Sequence, residues 1–407
     1  MRLLIHALAN GLYRQALTGM TIRTFLSKIL FPTLIAVAVS YFLLTEISRP
    51  DTPTSEQYSA FQLIKKGLEK IWVTLSQISI WALIIGFMLY ALLIWTKALR
   101  FRELIELDVS VNQLNPILAL HTFWGNLLPM RSGDLSYIYL MKRRERVDET
   151  KSVASLMLAS VIDLMLLLAF MVSTGWLLRS ALIGKLSYSI LFVAPLMMLC
   201  ALAILLSTAC IAPNACIAIA SYCAKPLLQF EKRLIRLVDK CLNVIHELTH
   251  IRFDRRFSKI RGNSLPLLQF KKRPIAWLVD KCLNVIHELT HIRFDRRFSK
   301  IWGYSLLGLG IRFGFQCYLA REMEIDVSVV RLTFALAFTS IFNLLPIQSI
   351  GNFGTVEFPF VAVLTLFGTP KGDAAVAGFS LHIIILLYCI PLGIYGLIKK
   401  PRHHDTK

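Results

Sequence analysis

The sequence from Asn126 to Asp134 reads NLLPMRSGD and interrupts an apolar stretch at 114–141. Pro129 and Gly133 both disfavour a continuous helix, because proline lacks the amide hydrogen and glycine loses more backbone entropy than other residues. Basic residues flank the stretch on both sides, at positions 97, 100 and 102 and at 142, 143, 144 and 146. Since lysine and arginine concentrate on the cytoplasmic side, we predict a helical hairpin at 114–141 that enters and leaves from one face.

A second broken stretch, 327–367, contains NLLPIQSIGNFGTVE from Asn343 to Glu357. The tetrapeptide DVSV precedes NLLP in both stretches, and its aspartate lies 21 residues before the proline in the first and 20 in the second. We interpret the two stretches as an internal repeat. The charge bias places the second hairpin on the opposite face, so the repeat is inverted, although either hairpin could instead be two tilted full spans. Broken helices expose backbone polar groups inside a bilayer, where they can bind a substrate.

Composition places these hairpins in a membrane protein. Hydrophobic residues make up 56% of the 407 residues and charged residues 17%. A bilayer core of roughly 30 Å needs about 20 apolar residues of helix. We therefore expect an all-α, polytopic transmembrane helical bundle with about six spans and the two opposed re-entrant hairpins. The six predicted spans are Ile29–Thr45, Ile78–Thr96, Val153–Leu178, Leu186–Ile211, Ile301–Leu319 and Ala375–Ile398.

The distribution of charge predicts the topology. The formal net charge is +20, and the segment from Lys225 to Lys300 contains 18 lysines and arginines but only 7 acidic residues. Because this basic segment lies between predicted spans, we expect it to lie in the cytoplasm. We expect its partner to be the anionic inner leaflet and not nucleic acid. The predicted parts are a basic cytoplasmic N-terminus (1–28), a first transmembrane half (29–221), a basic amphipathic insert (222–300), a second transmembrane half (301–398) and a basic cytoplasmic tail (399–407).

The insert contains an exact duplication. Residues 238–260 and 279–301 both read VDKCLNVIHELTHIRFDRRFSKI, within copies that we place at 226–265 and 266–305. HELTH fits the HExxH signature of zinc hydrolases, and its histidines lie four residues apart on one helical face. No third-ligand motif follows, however, and the surrounding apolar and basic pattern is typical of a helix at a membrane surface. We interpret the motif as coincidental and expect no cofactor; the weak metal candidates are His246, His250, His287 and His291.

Three segments carry a family resemblance: NLLPMRSGDLSYIYLMKRR, NLLPIQSIGNFGTVEF and KALRF. Together they resemble the flippase-like family typified by the lysylphosphatidylglycerol synthase transmembrane region, from about residue 78 to 398. The resemblance implies a multi-pass protein of the bacterial inner membrane that handles phospholipid or lipid-linked head groups. No aminoacyl-transferase domain follows Lys407, so we expect this chain to be no enzyme of lipid aminoacylation. A third family pattern is matched only in part, since Asp163 is present but Ala159 and Ser160 occupy the positions of a charged pair.

The resemblance and the cost of ionisable groups in a membrane together select the candidate site. An ionisable side chain at membrane depth costs about 2.5–3.5 kcal/mol and therefore needs a partner or a purpose. Arg131 could bind a lipid phosphate, and the acids could pair with it or attract a cationic head group. A purely structural pair at the hairpin turn is the alternative. The candidates for head-group binding are Arg131, Asp134, Asp163, Glu357, Gly133, Gly351 and Gly354, with Pro129 and Pro346 as the helix-breaking turns.

These observations favour a lipid flippase whose partner is a membrane phospholipid or a lipid-linked sugar. The second hypothesis is an accessory subunit that presents such a lipid to a separate transferase without transporting it. The third hypothesis, a zinc hydrolase, depends on the HELTH motif alone. We interpret His121, Arg312 and His382, which also interrupt apolar stretches, as packing residues.

Overall fold

The computed structural model describes residues 34, 37–47, 59–105, 109–129, 133–179, 193–201, 296–344 and 348–399. Throughout these residues the regular structure is helical, as the sequence predicts. The helices in chain order are α1 (Val37–Ile47), α2 (Ala60–Gln77), α3 (Ile80–Ile105), α4 (Val111–Leu127), α5 (Gly133–Glu145), α6 (Glu149–Leu177), α7 (Arg296–Glu322), α8 (Val329–Phe342), α9 (Glu357–Leu366) and α10 (Lys371–Ile398), with a 3₁₀ turn at Ile350–Asn352.

Three of the described helices, α3, α6 and α10, are long and apolar enough to cross a membrane. They contain the predicted spans Ile78–Thr96, Val153–Leu178 and Ala375–Ile398 almost entirely. The predicted span Ile301–Leu319 lies inside α7, which carries more polar residues. Most of Leu186–Ile211 and of the basic insert, including all four HELTH histidines, falls outside the described residues. The first predicted span is described only in part, through α1.

The first predicted hairpin is formed by α4 and α5, which pack against each other. The helix ends at Leu127 and resumes at Gly133, so the break falls where Pro129 and Gly133 predict it. Close packing requires the glycine: a Cβ at Gly133 would lie 2.4 Å from the Cα and N of Gly125. At the far end of α5, Lys142 Nζ donates to Glu149 Oε1 (2.5 Å), and this bond raises the pKa of Lys142.

The second predicted hairpin is formed by α8 and α9 with the 3₁₀ turn between them. Gly351 and Gly354 have φ of 65° and 77°, in the left-handed region that favours glycine. The two hairpins also begin alike, because the serine of each DVSV is the N-cap residue of the first helix. Their NLLP asparagines end that helix, Asn126 in the last turn of α4 and Asn343 as the C-cap of α8. These local similarities agree with the repeat in the sequence.

Helix α10 contacts both hairpins, through α4 and through α9. Glycines permit the close approach to α4, since a Cβ at Gly393 would lie 2.6 Å from the ring of Phe123 and one at Gly396 2.6 Å from Pro116 O. Arg144 of α5 stabilises the C-terminal end of α10 by donating two hydrogen bonds to Gly396 O (3.2 Å each). Small residues at such crossings are typical of membrane helices, where packing rather than hydrophobic burial holds helices together. The arrangement leaves a cavity beside α10 and the two hairpins.

Candidate functional site

The cavity has a volume of about 270 Å³ and is lined by both hairpins together with α3, α7 and α10. The two NLLP asparagines, Asn126 and Asn343, are both on its wall. The hairpins also touch there, since Asn352 Nδ2 donates to Gly125 O (3.4 Å). The repeated sequence motifs therefore meet at one place in the fold.

Asp134, a predicted site residue, lines the cavity and pairs with a histidine of the same hairpin. Its Oδ1 lies 3.0 Å from Nε2 of His121, and both side chains are partly buried. Gly133 and the start of α5 place Asp134, while the opposite helix of the hairpin, α4, provides His121. The sequence interpretation of His121 as a packing residue is incomplete, because the ring also lines the cavity.

Glu357, in the second hairpin, forms a corresponding pair with a histidine of α10. Its Oε1 lies 2.6 Å from Nδ1 of His382, and its Oε2 accepts a hydrogen bond from the backbone N–H of Gly354 (2.7 Å). Glu357 is fully buried behind the histidine, and His382 is the member of the pair that lines the cavity. Glu357 thus orients His382 and does not itself face the cavity. In each hairpin, the acid that the family motif selects has a histidine partner.

The predicted glycines have mainly conformational roles. Gly351 and Gly354 allow the chain to turn with positive φ before α9, and Gly354 also supplies the N–H that Glu357 accepts. Gly133 allows the contact with Gly125. None of the three predicted glycines is among the residues that line the cavity.

Asp163 is not on the cavity wall. Its carboxylate forms an ion pair with the guanidinium of Arg100, which also donates to Ser305 Oγ (3.2 Å). The pair connects α3, α6 and α7 beside the cavity. Arg131 and Pro346 lie outside the described residues, so their predicted roles stay predictions.

Two basic residues that the sequence interpretation did not select line the cavity: Lys97 on α3 and Arg312 on α7. The predicted span ends at Thr96, which made Lys97 a cytoplasmic flanking residue, whereas α3 continues to Ile105 and places Lys97 inside the bundle. The KALRF segment of the family resemblance contained this signal, because Lys97 is its first residue. Arg312 was visible as a lone charge in an apolar run, which is itself a pointer to function in a membrane protein.

The family model described as Lysylphosphatidylglycerol synthase TM region matches residues 57–393, which is most of the chain. The chain belongs to this family. It is accordingly a membrane protein related to lipid metabolism, and the matched range includes both hairpins and the whole cavity. No curated protein and no solved structure matches the chain.

Proposed function

We propose that this protein moves the polar head group of a lipid across the bacterial inner membrane, as a flippase. The observation that carries the proposal is the cavity, whose polar wall is built by both broken hairpins. A lipid crosses a bilayer slowly because its head group must leave water. A polar cavity among apolar helices lowers that barrier by replacing the hydration of the head group.

The size and composition of the cavity support a head group rather than a whole lipid. Pockets for drug-sized ligands have volumes of roughly 300–1,000 Å³. The cavity, at about 270 Å³, lies just below that range and accommodates a head group while the acyl chains stay outside. Its wall combines charged residues and side-chain amides with apolar residues such as Leu93, Phe315 and Leu336.

The topology of the chain and its partners also belong to this proposal. The termini and the basic segment 225–300 lie in the cytoplasm, and that segment binds the anionic inner leaflet. The protein performs no covalent chemistry on the lipid, which a separate transferase modifies where modification is needed.

The test is the rate of lipid flip in vesicles that contain the purified protein, measured with head-group-labelled phosphatidylglycerol and a membrane-impermeant quencher. Gly125→Leu is the informative variant, because Gly125 lines the cavity and an added Cβ would meet no atom within 4 Å. Gly310→Leu is the matched control: this glycine also has open space around its Cβ position but does not line the cavity.

We expect wild type and Gly310→Leu to accelerate flip and Gly125→Leu to reduce it towards the rate of empty vesicles. If wild-type protein flips lipids no faster than empty vesicles, transport is refuted. Binding of lipid without flip would then favour the accessory role.

A further inference from the structure

The cavity holds two cations that have no counter-ion among the described residues. Within the described ranges, no hydrogen bond or ion pair reaches the side chain of Lys97 or Arg312. The two lie close enough to act on each other electrostatically, and Asp163 acts on both, but Arg100 already holds its carboxylate. Two like charges in a poorly solvated site repel each other, and an anion between them removes that cost.

Asp134 on the cavity wall and Glu357 behind it do not offer a comparable site for a cation. Asp134 is paired with His121, and Glu357 is buried behind His382 with two hydrogen bonds of its own. A positively charged head group would have to compete with these histidines and would meet Lys97 and Arg312. The charges of the cavity therefore favour an anion over the cationic head group that the sequence alone left open.

Buried amide oxygens supply a second feature of the site. Gln348 Nε2 donates to the backbone carbonyl of Asn343 (2.7 Å), and Asn352 Nδ2 donates to that of Gly125 (3.4 Å). A carbonyl can only accept, so these contacts fix which end of each amide is the nitrogen. The oxygens of Gln348 and Asn352 are then left without a donor, although both side chains are more than nine-tenths buried and line the cavity.

Further cavity-lining residues share this property. Each has a buried side-chain atom with no hydrogen-bond partner among the described residues: Thr122, Gln316, Thr339, Asn343 and His382. Burying such an atom unpaired costs about 1–3 kcal/mol, so a cluster of them in one cavity indicates a bound polar group. Amide oxygens accept hydrogen bonds, and hydroxyl groups are the donors that suit them without adding charge.

We propose that the cavity binds a phosphate diester that carries a hydroxyl-rich head group, with the phosphate between Lys97 and Arg312 and the hydroxyls at the Gln348 and Asn352 oxygens. This inference deepens the proposed function, on which it rests, by naming the substrate class. Glycerol and sugar phosphodiesters of membrane lipids belong to that class. A choline phosphodiester does not, since it has no hydroxyl and carries a cation.

The test measures equilibrium binding to purified protein in detergent by isothermal titration calorimetry. The probes are dihexanoyl phosphatidylglycerol, dihexanoyl phosphatidylethanol, dihexanoyl phosphatidylcholine and inorganic phosphate. Phosphatidylethanol has the same single negative charge as phosphatidylglycerol but no hydroxyl. We expect phosphatidylglycerol to bind about five- to tenfold more tightly than phosphatidylethanol, the factor that one or two hydrogen bonds provide. Phosphatidylcholine should bind more weakly than both.

Variants separate the two parts of the site. Lys97→Gln and Arg312→Gln should each weaken both anionic lipids about tenfold or more, whereas Lys97→Arg should retain binding. Lys371→Gln removes the same charge from an exposed position and should change nothing. Gln348→Met should lower the affinity for phosphatidylglycerol towards that for phosphatidylethanol, with the remaining difference due to the Asn352 oxygen, and should leave the affinity for phosphatidylethanol unchanged.

Several results would overturn the inference. Equal affinities for phosphatidylglycerol and phosphatidylethanol would refute the hydroxyl site. Equal effects of Lys97→Gln and Lys371→Gln on lipid binding would refute the phosphate site. If inorganic phosphate binds as tightly as the lipids, the ligand is the free anion and not a head group. Flip of all lipids without this selectivity would refute the inference and leave transport standing, while selective binding without flip would refute transport alone.

Discussion

Gly133→Ala should destabilise the protein, because the methyl group it adds has no space. Its Cβ would lie 2.4 Å from both Cα and N of Gly125 and 2.8 Å from the carbonyl carbon of Trp124. These are backbone atoms of α4, so no side-chain rotation relieves the contact, and α5 must move by about 1 Å to restore a normal separation. Overpacking of this kind costs about 1–3 kcal/mol, and we expect the upper part of that range.

The same substitution at the other glycine of the pair, Gly125, is the control for this contact. A Cβ at Gly125 would meet no atom within 4 Å, so Gly125→Ala adds the same methyl group to the other member of the pair without a clash. Since alanine is favoured over glycine in a helix by up to about 1 kcal/mol, this variant should be as stable as wild type or slightly more so. Unfolding by SDS in mixed micelles, followed by circular dichroism, measures both. Equal stability of Gly133→Ala and wild type, or equal losses in the two variants, would refute the packing of the first hairpin.

Two further predictions concern the pair of Glu357 with His382 and the pair of Asp163 with Arg100. Glu357→Gln should lower the free energy of unfolding by about 1–3 kcal/mol, because the amide has one oxygen where the carboxyl group makes hydrogen bonds through both of its oxygens; an unchanged SDS midpoint would contradict this. A double-mutant cycle that replaces Arg100 by Gln and Asp163 by Asn should give a coupling free energy of about 1–2 kcal/mol, because the arginine is buried. The same cycle on the exposed pair of Lys142 and Glu149 should give little coupling, and similar values for the two cycles would refute the distinction.

Hydrophobic pattern and helix-breaking residues were sufficient to predict the fold class and both hairpin breaks. Proline and glycine act locally, so their positions in NLLPMRSGD indicate where α4 ends and α5 begins. The acids Asp134 and Glu357 were selected from the sequence as site candidates, because each belongs to a family motif and is a charge inside an apolar stretch. These features depend on neighbouring residues in the chain and need no knowledge of tertiary contacts.

The partners of Glu357 and Asp163 depend on tertiary contacts and were not predicted. His382 lies 25 residues after Glu357, and Arg100 lies 63 residues before Asp163, so no local pattern connects them. Lys97 was assigned to a flank because an apolar run measures only the hydrophobic part of a helix, and α3 continues nine residues beyond Thr96. Asp163 was selected for the head-group site on its family motif, while its side chain binds Arg100 beside the cavity.

The decisive measurement is the position of the lipid phosphate in an electron cryo-microscopy structure determined in nanodiscs of bacterial phospholipids. We expect phosphate density between Lys97 and Arg312, within hydrogen-bonding distance of both side chains, with the head group reaching Gln348 and Asn352. A cavity that contains only water or an acyl chain, with phosphates confined to the bilayer surfaces, would contradict it.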